Sequence, residues 1–182
     1  MRVSTLIVKS IGWCLIASLL AGLFGAIHNQ ISYSISCEYF TKFKFIQFQI
    51  PSSMPPRLGA SLVGWLAAWW LGYPLAMLIL PIAHWTSQEH HVDRRIAIAF
   101  GIVLAVAAGV GVLGLMLAMA TGNPETIEQV SRYGNQMEDD LAFSRAGTMH
   151  NFSYLGATLG CLVAAIWLNR SRIGSVSAPE AG

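Results

Sequence analysis

Residues 96–120 decide the fold, and they read IAIAFGIVLAVAAGVGVLGLMLAMA. The run contains no charged side chain, and it is longer than the roughly 20 residues that a helix needs to cross the hydrocarbon core of a bilayer. Lipid cannot satisfy a bare backbone amide, so an isolated segment of this kind crosses as an α-helix. The run therefore predicts a membrane-spanning helix.

Three further apolar stretches lie at residues 5–27, 58–83 and 151–168. Of the 182 residues, 54% are hydrophobic and only 11% are charged, whereas roughly 25% are charged in a soluble protein. The excess of apolar surface must face lipid. The sequence thus predicts an all-α integral membrane bundle of four transmembrane helices. We expect a single domain over residues 1–172 and a disordered tail of small and polar residues over 173–182.

Composition also argues against several classes of protein. The net charge is only +2, and no basic stripe with interleaved aromatic residues indicates a nucleic-acid partner. Cys14, Cys37 and Cys161 form an odd set without CxxC spacing, which argues against a disulfide framework or a thiolate zinc site. The first apolar stretch has a basic start, as a signal peptide does, but it is longer than a typical signal and Lys9 lies deep within it. We expect this stretch to be retained as a helix.

Basic residues predict the orientation. With the N-terminus inside, six of them fall on the cytoplasmic side, namely Arg2, Lys9, Arg94, Arg95, Arg170 and Arg172. Five fall on the longer outer segments, namely Lys42, Lys44, Arg57, Arg132 and Arg145. Because Lys and Arg favour the cytoplasmic side, we expect a multi-pass protein of the inner membrane with both termini in the cytoplasm.

The two outer segments, residues 28–57 and 121–149, have about thirty residues each and look ordered. Asn123, Pro124 and Glu125 are typical of a helix N-terminus, and we expect that helix to end near Gly134. A second helix is predicted from about Gln136 into the fourth span. Residues 39–50 mix aromatic rings with Lys and Gln, which is typical of backbone at the membrane interface. This segment is also the predicted contact for a membrane-protein partner.

Small residues predict how the helices pack, because they let backbones approach closely in lipid. The fourth span has Gly156 and Gly160 at GxxxG spacing. The third has Gly101, Ala105 and Gly109 at the same spacing, followed by two further glycines. In the second span, the Gly72-Tyr73-Pro74 sequence predicts a bend.

The spans carry no Asp, Glu, Lys, Arg or His between residues 11–27, 58–83, 96–121 or 151–169. Proton-coupled carriers and voltage sensors mark their routes with such groups, so these classes are not indicated. Candidate chemistry lies at the outer rim, where His28 closes the first span and His150 opens the fourth. Glu38 lies among aromatic residues, where a lone carboxylate needs a partner.

Imidazole and carboxylate groups from separate elements commonly bind a borderline divalent metal. The sequence therefore predicts a site for zinc, iron or copper at His28, Glu38 and His150. Glu138, Asp139 and Asp140 are weaker candidates, because such a run is usually a solvated helix face. Histidines at helix ends are also common interfacial residues, so a site without metal stays open.

Two stretches carry a family resemblance. The first runs from His28-Asn29-Gln30 through Glu38-Tyr39-Phe40-Thr41, and the second is Met149-His150-Asn151-Phe152-Ser153-Tyr154. Together they resemble a group of small bacterial inner-membrane proteins with a His-(Asp/Asn)-Gln start and a Glu-Tyr-Phe-Thr core. Here Asn29 stands where the group has Asp, which removes one candidate ligand. The resemblance implies a four-span bacterial protein and brings no known activity.

Three classes of function stay open at this point. The first is a metal-binding protein or enzyme built on His28, Glu38 and His150. The second is an accessory subunit that docks on a larger membrane complex through its outer segments. The third is a haem or quinone protein that uses the two histidines, and it is the weakest because paired haem ligands usually lie deeper between helices. The residues favour the metal site narrowly over the accessory subunit, and they indicate no reaction.

Overall fold

The computed structural model describes residues 3–176. Its helices are α1 (Val3–Ile35), α2 (Phe45–Gln47), α3 (Pro56–Ala68), α4 (Gly72–Thr86), α5 (Val92–Thr121) and α6 (Asp140–Val176). A two-stranded hairpin, β1 (Ser131–Arg132) and β2 (Asn135–Gln136), lies between α5 and α6. Four helical stretches are long and apolar enough to cross a membrane, with α3 and α4 together forming the second. The predicted all-α bundle of four spans is confirmed.

The helices are longer than the apolar stretches at their outer ends. Helix α1 continues to Ile35 and α6 begins at Asp140, so His28 and His150 lie inside helices and not at their ends. Polar residues can extend a helix past the hydrocarbon core because its backbone bonds are internal. At the other end, α6 runs to Val176, and the predicted disorder of the tail stays a prediction. Residues 177–182 lie outside the described part.

The second span is broken where the sequence predicts a bend. A 3₁₀ turn at Trp69–Leu71 separates α3 from α4. Pro74 has no N–H and its ring crowds the carbonyl four residues earlier, which accounts for a break just before it. Gly72 adjoins α1, because a Cβ atom there would lie 2.3 Å from the Ala17 carbonyl oxygen. The predicted bend is confirmed, and it lies about one turn before Pro74.

Glycines set the contact between α5 and α6. A Cβ atom at Gly156 would lie 2.8 Å from Ala107 Cα, and one at Gly160 would lie 2.9 Å from Val103 Cα. The predicted GxxxG contact is confirmed. The small-residue contact predicted for α5 is confirmed at Gly111 and Gly114, where a Cβ atom would meet Ser153 and Phe152 of α6, and it is wrong at Gly101 and Gly109, which face open space. Four-residue spacing occurs on more than one face of a glycine-rich helix, so spacing alone does not choose the packing face.

The segment before α6 differs most from expectation. Asn123 Oδ1 accepts a hydrogen bond from the Glu125 amide at 2.9 Å, which makes a local turn that competes with a helix. Tyr133 and Gly134, both with positive φ, then connect β1 to β2, as a tight hairpin turn requires. The predicted helix ending near Gly134 is therefore wrong. Helix α6 starts at Asp140 because Asp139 Oδ1 accepts the Ala142 amide as an N-cap.

Residues 39–50 fold into a π-helical turn, Tyr39–Lys44, followed by α2. Tyr39 and Phe40 are buried, and they pack against Met137 and Phe143 of the other outer segment. This gives the outer end a small core of its own, which we call the outer cluster. The second outer segment covers Tyr39 and Phe40, so these two rings contact protein, and the position of the segment at the membrane interface stays a prediction.

Candidate functional site

The bundle brings His28 of α1 and His150 of α6 together, as the sequence predicts. Their ring centroids are 4.7 Å apart with planes inclined by 72°. Both side chains are buried, at 7% and 9% exposure. The two helices run in opposite directions, so residues near the end of one meet residues near the start of the other. The site therefore rests on two rigid helices.

Two serines hold these histidines. His28 Nε2 lies 2.9 Å from Ser153 Oγ, and His150 Nε2 lies 3.1 Å from Ser32 Oγ. Ser32 follows His28 by four residues and Ser153 follows His150 by three, so each pair shares a helix face. The result is a reciprocal contact between α1 and α6, which we call the His–Ser clamp. Neither serine was predicted as a site residue, although this spacing was the available signal.

Ser32 links the two histidines, because its Oγ lies 3.2 Å from the His28 carbonyl oxygen and 3.1 Å from His150 Nε2. A hydroxyl has a single hydrogen. When Ser32 donates that hydrogen to the His28 carbonyl oxygen, His150 Nε2 is the donor to Ser32.

Aromatic rings enclose the histidines. The Tyr39 ring stacks on His150, with centroids 5.1 Å apart and planes inclined by 19°. Phe24 lies against His28, with centroids 5.8 Å apart. Burial raises the pKa of Tyr39 well above its ordinary value, so its phenol stays neutral across the physiological range. These rings form an apolar wall behind the clamp.

Glu38 bonds to the start of the second outer segment's helix and to Lys42. Its Oε2 accepts hydrogen bonds from the amides of Glu138 and Asp139, each at 3.0 Å, and its Oε1 pairs with Lys42. Burial opposes ionisation, but the bonds from Lys42 and the two amides outweigh it and hold the pKa of Glu38 below its ordinary value. The carboxylate therefore ties the first outer segment to the start of α6, near the positive end of that helix.

The acidic side chains at the start of α6 also form an ion pair and hydrogen bonds. Glu138 pairs with Lys42 at 2.9 Å, Asp139 caps α6, and Asp140 accepts the Val130 amide at 2.7 Å. Within residues 3–176, no three His, Cys, Asp or Glu side chains are grouped so that they could hold a metal ion. The structure brings together His28 and His150 of the predicted set and leaves Glu38 apart from them. The metal site stays a prediction.

Asn29 connects α1 to α3. Its Nδ2 donates to the Ala60 carbonyl oxygen at 2.9 Å, and the side chain is buried. A carboxylate could not donate this bond. Nearby, Gly25 and Gly64 let the two backbones meet, since a Cβ atom on either would lie within 2.2 Å of the other's carbonyl oxygen.

A cavity of about 320 Å³ adjoins the clamp. It lies between two helix pairs. Helices α1 and α3 form one pair, and α5 and α6 form the other. Most of its wall is apolar. The polar lining groups gather at the outer end, and they are His28, Asn29, Lys44, Gln47, His150 and Ser153. Leu66, Trp70 and Tyr154 line it as well and are exposed, so the cavity opens sideways toward the surroundings of the helices.

Lys44 supplies the positive charge of this cavity. Its Nζ donates to Gln47 Oε1 at 2.9 Å and lies 4.3 Å from the centroid of the Phe43 ring. Burial lowers the pKa of Lys44. Among the ion pairs of residues 3–176, none involves this ammonium group. The outer end of the cavity is therefore rich in hydrogen-bond donors and lacks an ionised acceptor.

No family model, curated protein or solved structure matches this chain.

Proposed function

We propose that this protein binds a membrane-dissolved amphiphile in the cavity beside the His–Ser clamp. The head of the ligand lies among His28, Asn29 and Lys44, and its tail follows the apolar wall. The observation that carries this proposal is the division of one cavity into a polar outer end and an apolar remainder. Its volume of about 320 Å³ lies within the usual range of small-ligand pockets.

The sideways opening supports entry from the bilayer. Leu66, Trp70 and Tyr154 at the opening belong to membrane-spanning helices. An amphiphile dissolved in lipid meets such an opening directly. The donors at the outer end favour a head with acceptor oxygens. Isoprenoid quinones, which combine carbonyl oxygens with a single apolar tail, are the first class to test.

Fluorescence titration tests the proposal, because Trp70 lines the cavity and a bound quinone quenches indole emission. The probe is a short-tailed benzoquinone added to the protein in nonionic detergent. Ala67→Phe fills part of the cavity wall and should weaken binding by about tenfold, equivalent to about 1.4 kcal/mol. Ala105→Phe is the matched control, since Ala105 is exposed on α5. Equal quenching in wild type and both variants would show simple partition into detergent and would refute the proposal.

Lys44→Gln identifies the head group. If the head is anionic, removing the ammonium group should weaken binding of a fatty acid far more than binding of a quinone. If the head is a neutral carbonyl, quinone binding should be largely retained, because glutamine can still donate a hydrogen bond.

The two earlier hypotheses remain as predictions. A metal bound through the Nε2 atoms of His28 and His150 would have to displace both serine hydroxyls, and the metal content of protein purified without chelator checks this hypothesis. Docking on a partner complex cannot rely on Tyr39, because its ring is buried in the outer cluster. Exposed residues of the same segment, such as Ile46, would have to carry that contact.

A further inference from the structure

A second cavity, of about 610 Å³, lies at the opposite end of the bundle. It is enclosed by the end of α4, the start of α5 and the end of α6. Its lining includes two guanidinium groups, from Arg94 and Arg95, and two indoles, from Trp85 and Trp167. The proposed amphiphile site makes no use of it.

Arg95 is held rigidly at this cavity. Its guanidinium donates to the carbonyl oxygens of Thr86 and Leu168 and to the Ser171 hydroxyl, and it lies 5.7 Å from the Trp167 ring centroid. All of these acceptors are neutral, so they orient the charge without compensating it. Within the described residues, Arg95 Nε and Ser87 Oγ are buried and have no hydrogen-bond partner.

The nearest carboxylate in sequence is directed elsewhere. Asp93 Oδ2 accepts Lys9 Nζ at 2.9 Å, and Asp93 Oδ1 accepts Trp13 Nε1 at 3.0 Å. Arg94 is exposed, and among the side chains that the structure describes, which do not include that of Glu89, neither Arg94 nor Arg95 takes part in an ion pair. Two adjacent positive charges therefore line one cavity whose described lining residues include no carboxylate.

We infer that this cavity binds the phosphate headgroup of an anionic phospholipid. Guanidinium groups bind phosphate with paired, charge-assisted hydrogen bonds, and basic pockets between membrane helices are typical sites for such heads. Trp85 is 79% exposed beside the pocket, as expected of an indole at headgroup depth. Ile98, one turn further along α5, lines the cavity on the side where an acyl chain would lie.

The test is thermal unfolding of the full chain in nonionic detergent with added lipid. Phosphatidylglycerol should raise the melting temperature, and phosphatidylcholine at the same concentration should not. Arg94→Gln should weaken the apparent affinity for phosphatidylglycerol by roughly fivefold, the value of one basic residue near an anionic surface. Arg94 is the better position to change, because Arg95 also bonds backbone carbonyls of α4 and α6. Arg170→Gln is the matched control, since Arg170 is exposed near the same end but does not line the cavity.

Each result decides the inference. Selective stabilisation by phosphatidylglycerol that is weakened in Arg94→Gln and retained in Arg170→Gln supports it. Equal stabilisation by the two lipids, or a wild-type response from Arg94→Gln, overturns it. Inorganic phosphate is the second ligand to add, because it offers the same chemistry without a tail. If it reproduces the shift and abolishes the effect of lipid, the site takes free phosphate and the lipid assignment is wrong. None of these outcomes depends on the amphiphile cavity.

Discussion

At the scale of single residues, polar groups inside the helices satisfy each other across helix contacts. His28 meets Ser153, His150 meets Ser32, and Asn29 donates to a carbonyl of α3. In lipid an unpaired polar group has no water to bind, so each of these contacts also selects one arrangement of α1 against its neighbours. The clamp is therefore both a structural link and the polar end of the cavity.

Glu38 yields a prediction about pH. The pKa of Glu38 is held below its ordinary value, so the ionised form is favoured in the folded protein. Its contribution to stability is fully present above the pKa of the unfolded chain, and it is lost as pH falls through the lower folded pKa. Thermal unfolding in detergent between pH 7 and pH 3 should show this loss in wild type. Glu38→Gln should be less stable at pH 7 and should lose less on acidification.

Lys42 affects stability at the alkaline end of the same pH range. Hydrogen bonds to Glu38 and Glu138 raise the pKa of Lys42, so its contribution is present at neutral pH and is lost only as pH rises through that raised value. Acid sensitivity can therefore be assigned to Glu38 and not to Lys42. Glu128→Gln is the control, because Glu128 is exposed. Parallel pH profiles for wild type and Glu38→Gln would contradict the assignment.

At the scale of the elements, the sequence predicts the spans well and the outer segments poorly. Long apolar runs must be helical in lipid, so α5 follows directly from residues 96–120. Outside lipid, local hydrogen bonds compete, and the Asn123 turn with the Tyr133-Gly134 hairpin replaces the predicted helix. For the site, the ends of the apolar runs place His28 and His150 at one depth. The partner of Glu38 is a pair of backbone amides about a hundred residues away, which no residue pattern reveals.

The GxxxG contact provides an element-scale prediction. Gly156→Leu should destabilise the protein by about 1–3 kcal/mol, the usual cost of forcing a side chain into a packed site. The reason is that even a Cβ atom there would lie 2.8 Å from Ala107 Cα on α5. Thermal unfolding in detergent measures the change.

Gly109→Leu is the matched control for this variant. Gly109 lies on α5 and faces open space, so the same added side chain should leave stability unchanged or slightly increased, because glycine is a poor helix former. If Gly109→Leu were as damaging as Gly156→Leu, the destabilisation would reflect the substitution itself and not the α5–α6 contact.

At the scale of the whole molecule, the chain packs as two helix pairs with a cavity between them. Helix α1 meets α3 through Gly25 and Gly64, and α5 meets α6 through Gly156 and Gly160. The outer cluster joins the two pairs at one end, where Tyr39 contacts Phe143. At the other end, Arg95 bonds the carbonyl oxygen of Thr86 at the end of α4 and that of Leu168 in α6. This division accounts for a ligand-sized space in a bundle whose helices otherwise pack closely.

Topology gives the last prediction. Gln49 follows α2 and Gln136 lies in β2 at the end that holds the outer cluster, whereas Gln88 lies in the short turn between α4 and α5. Four crossings therefore put Gln49 and Gln136 on one side and Gln88 on the other. The basic residues favour Gln88 in the cytoplasm. Alkaline phosphatase fused after Gln49 or Gln136 should be active and fused after Gln88 inactive, with fluorescent-protein fusions giving the reverse pattern. If all three positions reported the side opposite to the one expected, the predicted orientation alone would be refuted. If the fusions at Gln49 and Gln88 reported the same side, the four-span fold would be refuted, because α3 and α4 could not then cross the bilayer together.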